Sequence, residues 1–392
     1  MKKTIAAPIV GFLAISINLW SASAAIKPGS ICKNRGQSIT SGGFKYTCVK
    51  TGKKLTWRKG GAIKYQVSQA AESTPTISPT PVLSGNFDKF GNPTSEEALI
   101  IDKLLEGAWE KGKPATQFIK IKSHEKVKDS VWAKDNEAIM PAITRILDGI
   151  GAPLKSEVDW YVWWDLDSLQ PLLPQNCWAK NSKDFDTKSV GAGYCRPNTI
   201  FVFFDAYRQW YPMQGFLEKY PNEWDKFGIS SVTAGEVAHF AQQAYGERFG
   251  HEAFNFYPAW LREGPTVLYS ALAYAKYANI PYSTVRNLAL KHFGNPQCKN
   301  VLMTDLLMFG TASNLCEYSG GFLATEYLVA KTGDLAAPFR YLESKISGNG
   351  NTCGNPVGIC RSSYEEVIRE IYSQDSESWH AEIQAYIKKW AL

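Results

Sequence analysis

The chain has 392 residues, 44% of them hydrophobic, and a formal charge of +6 at neutral pH. Its eight cysteines include no C-x-x-C pair, which argues against a zinc ribbon or a thioredoxin-type redox site. No Walker loop, G-x-G-x-x-G or G-x-S-x-G is present, so the usual nucleotide-binding and α/β-hydrolase signals are missing.

Residues 1–24 read as a secretory signal peptide. Met1-Lys2-Lys3 is a short positive segment, a broken apolar run follows, and Ala22 and Ala24 give an A-x-A cleavage pattern. The run, broken by Pro8 and Asn18, is short for an anchor, and no later stretch has the apolar length of a membrane span. The expectation is a protein that is secreted or held at the cell surface, with no transmembrane segment after cleavage.

Export agrees with the cysteines. Pairing between sequence neighbours is the simplest of the connectivities open to eight cysteines: Cys32–Cys48, Cys177–Cys195, Cys298–Cys316 and Cys353–Cys360.

Residues 25–64 form a head of their own. Short segments at Gln37–Thr40, Phe44–Val49 and Lys54–Arg58 alternate with glycine-containing turns, which predicts a three-stranded β meander stapled by Cys32–Cys48. Ten basic residues and no acidic one lie between Ile26 and Lys64, so the net charge hides a basic head on an acidic body. Such a head suits an anionic surface; the alternative is a charged face that only keeps a small module soluble. The head resembles a small module, G-x-x-C…G…Y-x-C…G-K-x-x-W, of exported bacterial proteins, and that resemblance implies no chemistry. Residues 65–95, rich in Pro, Ser and Thr, read as a semi-extended linker.

Residues 96–392 have the composition of a globular domain. Ser95 is placed to cap a helix over 96–112, and a longer helical region is predicted over 127–151. VDWYVWWD (158–165) and TIFVFFD (199–205) read as strands that each end on an aspartate. After Gly228 the pattern is mostly helical. The predicted fold class is α+β, a small β-sheet leading into a mostly helical lobe.

The chemistry-bearing stretch is TAGEVAHFAQQ (233–243), followed by PAWLREG (258–264). On a helix, Glu236, His239 and Gln243 share one face while Val237, Phe240, Ala241 and Ala244 form an apolar stripe. A zinc-peptidase helix needs a first histidine one turn before His239, and that position is Gly235. The lost letter admits two explanations: drift from a former ligand, or close helix packing.

On these residues the chain resembles the gluzincin, or thermolysin-like, zinc metallopeptidases, with their A-H-E-x-x-H-x-x-Q followed by P-x-W-L-x-E-G. The resemblance implies that the body is a domain of metallopeptidase type. It places Glu236 as candidate general base, His239 and Glu263 as candidate zinc ligands, and Gln242, Pro258, Trp260, Leu261 and Gly264 in the flanking signature. It also implies that the TIFVFFD strand runs along the cleft and pairs with substrate backbone. Two ligands fall short of the three that catalytic zinc needs. The first expectation is therefore an inactive peptidase-fold protein whose cleft binds a peptide or a cell-wall component, with no zinc. The alternatives are an active zinc peptidase that borrows a third ligand, from His251, His124, His292 or His380, and a structural cell-surface protein with no cleft function.

Overall fold

The computed structural model describes residues 30, 31, 35, 38–41, 44–52, 54–62, 93–177, 179, 180, 192–195, 198–204, 223–250, 257–294, 296–307, 316–345 and 361–391. The predicted signal peptide, Cys32, nearly all of the linker, His251, and the Cys353 and Cys360 pair lie outside the described residues. The chain divides into two compact units, Met1–Val82 and Leu83–Leu392.

The first unit holds the predicted meander. Strands β1 (Ser38–Ser41), β2 (Phe44–Thr51) and β3 (Lys54–Ala62) are antiparallel in that order. Gly52 takes φ +61°, the left-handed backbone that the tight β2–β3 turn requires. Cys48 is buried and disulfide-bonded, and it faces Trp57 across the pair.

The second unit mixes helices with one small sheet. Ser95 caps α1 (Glu96–Lys111) as its sequence predicts, its hydroxyl accepting from the Ala98 amide at 3.1 Å. The single long helix predicted next is two, α2 (Val131–Ala138) and α3 (Met140–Gly149). Pro141 lies in the first turn of α3; without an N–H, and with its ring against the preceding turn, it starts a helix where it cannot continue one.

The sheet contains β4 (Ile119–Ser123), β5 (Val158–Trp163), β6 (Ala192–Cys195) and β7 (Thr199–Phe203) in the order β4-β5-β7-β6. The first three in space are parallel, and β6 joins antiparallel to β7. Both strands read from sequence are present. However, β7 is flanked on both sides and buried at every position, so its backbone has no side left for a substrate. The edge strand beside the helices is β6, held by the Cys177–Cys195 disulfide (Cα–Cα 5.0 Å).

The helical part is built around α4 (Glu223–Glu247), α5 (Ala259–Ala278), α6 (Tyr282–Phe293) and α7 (Cys316–Thr332), with α8 (Arg361–Tyr372) and α9 (Ser376–Trp390) outside them. Helix α5 is the hub. It is buried from Ala259 to Ala275 and packs chiefly on α7 and α4. Its closest approach is to α7 at two glycines: a Cβ on Gly264 would lie 2.1 Å from the Gly321 carbonyl oxygen. The G of W-L-x-E-G is thus fixed by helix packing. A second disulfide, Cys298–Cys316 (Cα–Cα 5.2 Å), ties the start of α7 to the turn after α6 and matches the neighbour pairing.

One carboxylate in this core is fully accounted for. Glu326 and Arg286 are both buried, and the Arg286 Nε spans the two carboxylate oxygens at 2.8 and 2.9 Å. The hydroxyls of Tyr282 and Tyr386 donate to Glu326 at 2.7 and 2.8 Å. With both of its oxygens engaged, Glu326 ties α6, α7 and α9 together.

Candidate functional site

The site begins with a proline. Pro265 lies inside α5, well past its first turn, and cannot donate to the carbonyl of Leu261. The backbone group left over is satisfied from the neighbouring helix. Gln242 of α4 donates its side-chain amide to the carbonyls of Leu261 and Arg262, each at 3.2 Å.

That commitment orients the imidazole. With its nitrogen spent on two carbonyls, Gln242 presents only Oε1 to His239, so Nδ1 of His239 carries the proton and donates at 3.0 Å. The other ring nitrogen, Nε2, then faces Glu263 Oε2 at 3.2 Å. A residue of the trailing Q in the motif is thereby tied to the tautomer of the histidine one turn before it. Replacing Gln242 by alanine strands the Leu261 carbonyl and releases the ring. The expected cost is about 1–3 kcal/mol, read as a lower urea midpoint. Gln242→Glu keeps the volume without the donor and is expected to rescue nothing; recovery in that variant would show that packing alone matters.

Glu263 is only 4% exposed and His239 9%. The carboxylate's Oε1 accepts from Arg262 Nε at 2.9 Å. Its Oε2, though near the imidazole, has no donor aligned for a hydrogen bond. Burial alone would raise the Glu263 carboxyl, but the imidazole and the guanidinium outweigh it and hold it well below the usual carboxylate range. Burial works against the charged form of His239 too, and Glu263 overcomes that, so its pKa is raised.

Glu236 differs from both. It is half-buried, and its carboxyl has no hydrogen-bond or ion-pair partner among the described residues. Burial pushes it up to about 7, opposed by His239 and helped by the charge of Glu263. A group that is recessed yet still reaches solvent has the environment of an acid–base residue poised near neutrality.

Tyr318 and Arg262 complete the cluster. Tyr318 sits on the first turn of α7, where the Cys298–Cys316 disulfide anchors it. Its hydroxyl lies within reach of Glu263, whose charge, with burial, pushes its pKa far up. Neither residue is visible in the motif, although Arg262 adjoins Glu263 in sequence and Tyr318 stands two residues after a paired cysteine.

Position 235 is open. A Cβ there would meet Ser270 Oγ at 3.4 Å and Thr266 Cβ at 3.8 Å, which are ordinary contacts. Close packing against a Cβ therefore does not require this glycine.

The donor set does not complete a zinc site. His239 Nε2 and Glu263 Oε2 are 3.2 Å apart, close to the roughly 3.4 Å that two ligands about 2.1 Å from zinc span in a tetrahedron. A third is missing: among the described residues, no group of three His, Cys, Asp or Glu side chains is placed to hold a metal. Three of the four proposed substitutes are placed in other surroundings, and the fourth, His251, lies outside the described residues. The His124 ring lies edge-on to Trp163, His292 lies between Phe227 and Phe293, and His380 Nε2 is 3.1 Å from the Tyr364 hydroxyl. Arg262 meanwhile supplies a fixed positive charge to Glu263.

No helix among the described residues is long and apolar enough to cross a membrane. Compared with known proteins, the chain matches no family model, no curated relative and no solved structure.

Proposed function

We propose that the larger unit is a peptidase-like domain of gluzincin type that has kept its recess and lost its hydrolysis. It acts as an exported binding protein for extended peptide. The observation that carries this reading is Gly235, a helical glycine that packing does not require, one turn before a histidine oriented as a metal ligand. Glu236 keeps the recessed, partly accessible position of a general base, but without an acidified water it has nothing strong enough to deprotonate. Arg262 and Tyr318 instead stabilise Glu263 as part of a standing charge cluster. Among the described strands β6, beside α4, stands at the edge of the sheet, and an extended chain would pair along it.

The test is turnover of an unfolded protein and a quenched-fluorescence peptide library by the full chain in excess zinc. No cleavage above blank is expected, and Glu236→Gln should change nothing. Cleavage that disappears in Glu236→Gln would replace this reading with that of a working peptidase whose third ligand comes from outside the described residues.

A further inference from the structure

The smaller unit carries a different feature. Side chains alternate across a strand, so the pairings Thr51↔Lys54, Val49↔Thr56 and Thr47↔Arg58 place these six residues on one face of the meander. The pairings Cys48↔Trp57 and Lys50↔Leu55 place the buried cysteine, the tryptophan and the leucine on the other. The first face is therefore hydroxyls and cations around a single valine, Val49. Lys54, Arg58 and Thr51 are exposed, Thr47 and Thr56 are half-buried, and Thr51 and Thr56 share a hydroxyl hydrogen bond of 2.9 Å. Lys54, Thr56 and Arg58 recur at every second position, a row of donors about 7 Å apart. Nothing within the module neutralises them, because no acidic residue occurs between Ile26 and Lys64.

We infer that this face binds a linear phosphodiester polymer of the sugar-alcohol kind, laid along β3 with its phosphates against Lys54 and Arg58. Charge complementarity selects an anion. Hydroxyls between the cations supply further donors to phosphate oxygens, which an electrostatic patch kept only for solubility does not need. Two other polyanionic partners fit less well. Single-stranded nucleic acid calls for aromatic side chains on which bases stack, and Trp57 stands on the opposite face. A lipid surface calls for several bulky apolar side chains beside the cations. This face offers Val49, half-buried, and at its edge Ile31, 74% exposed and bridged to Thr56.

The experiment measures binding of fluorescent poly(glycerol phosphate) to the full chain at several salt concentrations. It compares Lys54→Gln/Arg58→Gln with Lys50→Gln/Lys59→Gln, which removes equal charge from the opposite face. The face variant is expected to lose about tenfold in affinity at low salt. Its log K versus log salt slope should become shallower by roughly 1.4 units, as the loss of two phosphate contacts on a single-stranded polyanion implies at about 0.7 each. The control should lose no more than about threefold. Equal losses in both variants, absence of binding by the wild-type chain, or tighter binding to phosphatidylglycerol vesicles or to single-stranded DNA would each overturn the assignment. None of these results depends on the recess of the larger unit, so the two readings stand or fall separately.

Discussion

Gly235→His is expected to raise zinc affinity by roughly a hundredfold or more. A structural zinc site is worth about 10–16 kcal/mol over four ligands, so one restored ligand contributes on the order of 3 kcal/mol. Geometry favours the gain. The new Cβ has room against Ser270 and Thr266, position 235 lies one turn from His239, and Gln242 already turns Nε2 of His239 towards Glu263. Isothermal titration with zinc reads the change. Gly235→Ala is the control: it should gain about 1 kcal/mol of stability from helix propensity and no zinc affinity. A folded histidine variant that binds zinc no better than the alanine one would mean that His239 and Glu263 are only a buried ion pair, and it would count against the gluzincin resemblance.

Gly264→Ala should be among the most destabilising single changes in the chain, at about 3 kcal/mol or more. Its Cβ would fall 2.1 Å from the Gly321 carbonyl oxygen and 2.6 Å from Thr325 Oγ1. Because the first of these is backbone, relief requires α5 and α7 to separate, and with them Glu263 and Tyr318. Gly320→Ala, next to the same crossing, provides the contrast. There the nearest atom is Leu306 Cδ1 at 3.2 Å, the end of a flexible side chain, so a shift of well under 1 kcal/mol is expected. Chemical denaturation of both variants distinguishes a tight backbone crossing from general intolerance of α7 to substitution.

The sequence made some of this legible, for local reasons. Alternation and glycine turns were enough for the meander, Ser95 for the start of α1, and neighbour spacing for the two cysteine pairs that the structure describes. The meeting of His239 and Glu263 is what the motif resemblance implied. What stayed hidden was set by partners far along the chain. Strand β4, with alternating lysines, reads as a polar segment until its pairing with β5 is seen. The interior place of β7 depends on β6, a strand of four residues. Pro265 lies inside α5, and the Leu261 carbonyl it leaves unpaired is what Gln242 answers. Arg262 and Tyr318 join the cluster through packing that no motif encodes.

The measurement that bears most directly on the central claim is the zinc content of the purified wild-type protein after mild dialysis, by mass spectrometry, beside Glu263→Ala. The account predicts well under one zinc per chain in both. About one zinc per wild-type chain, lost in Glu263→Ala, would contradict it and make the recess a metal centre.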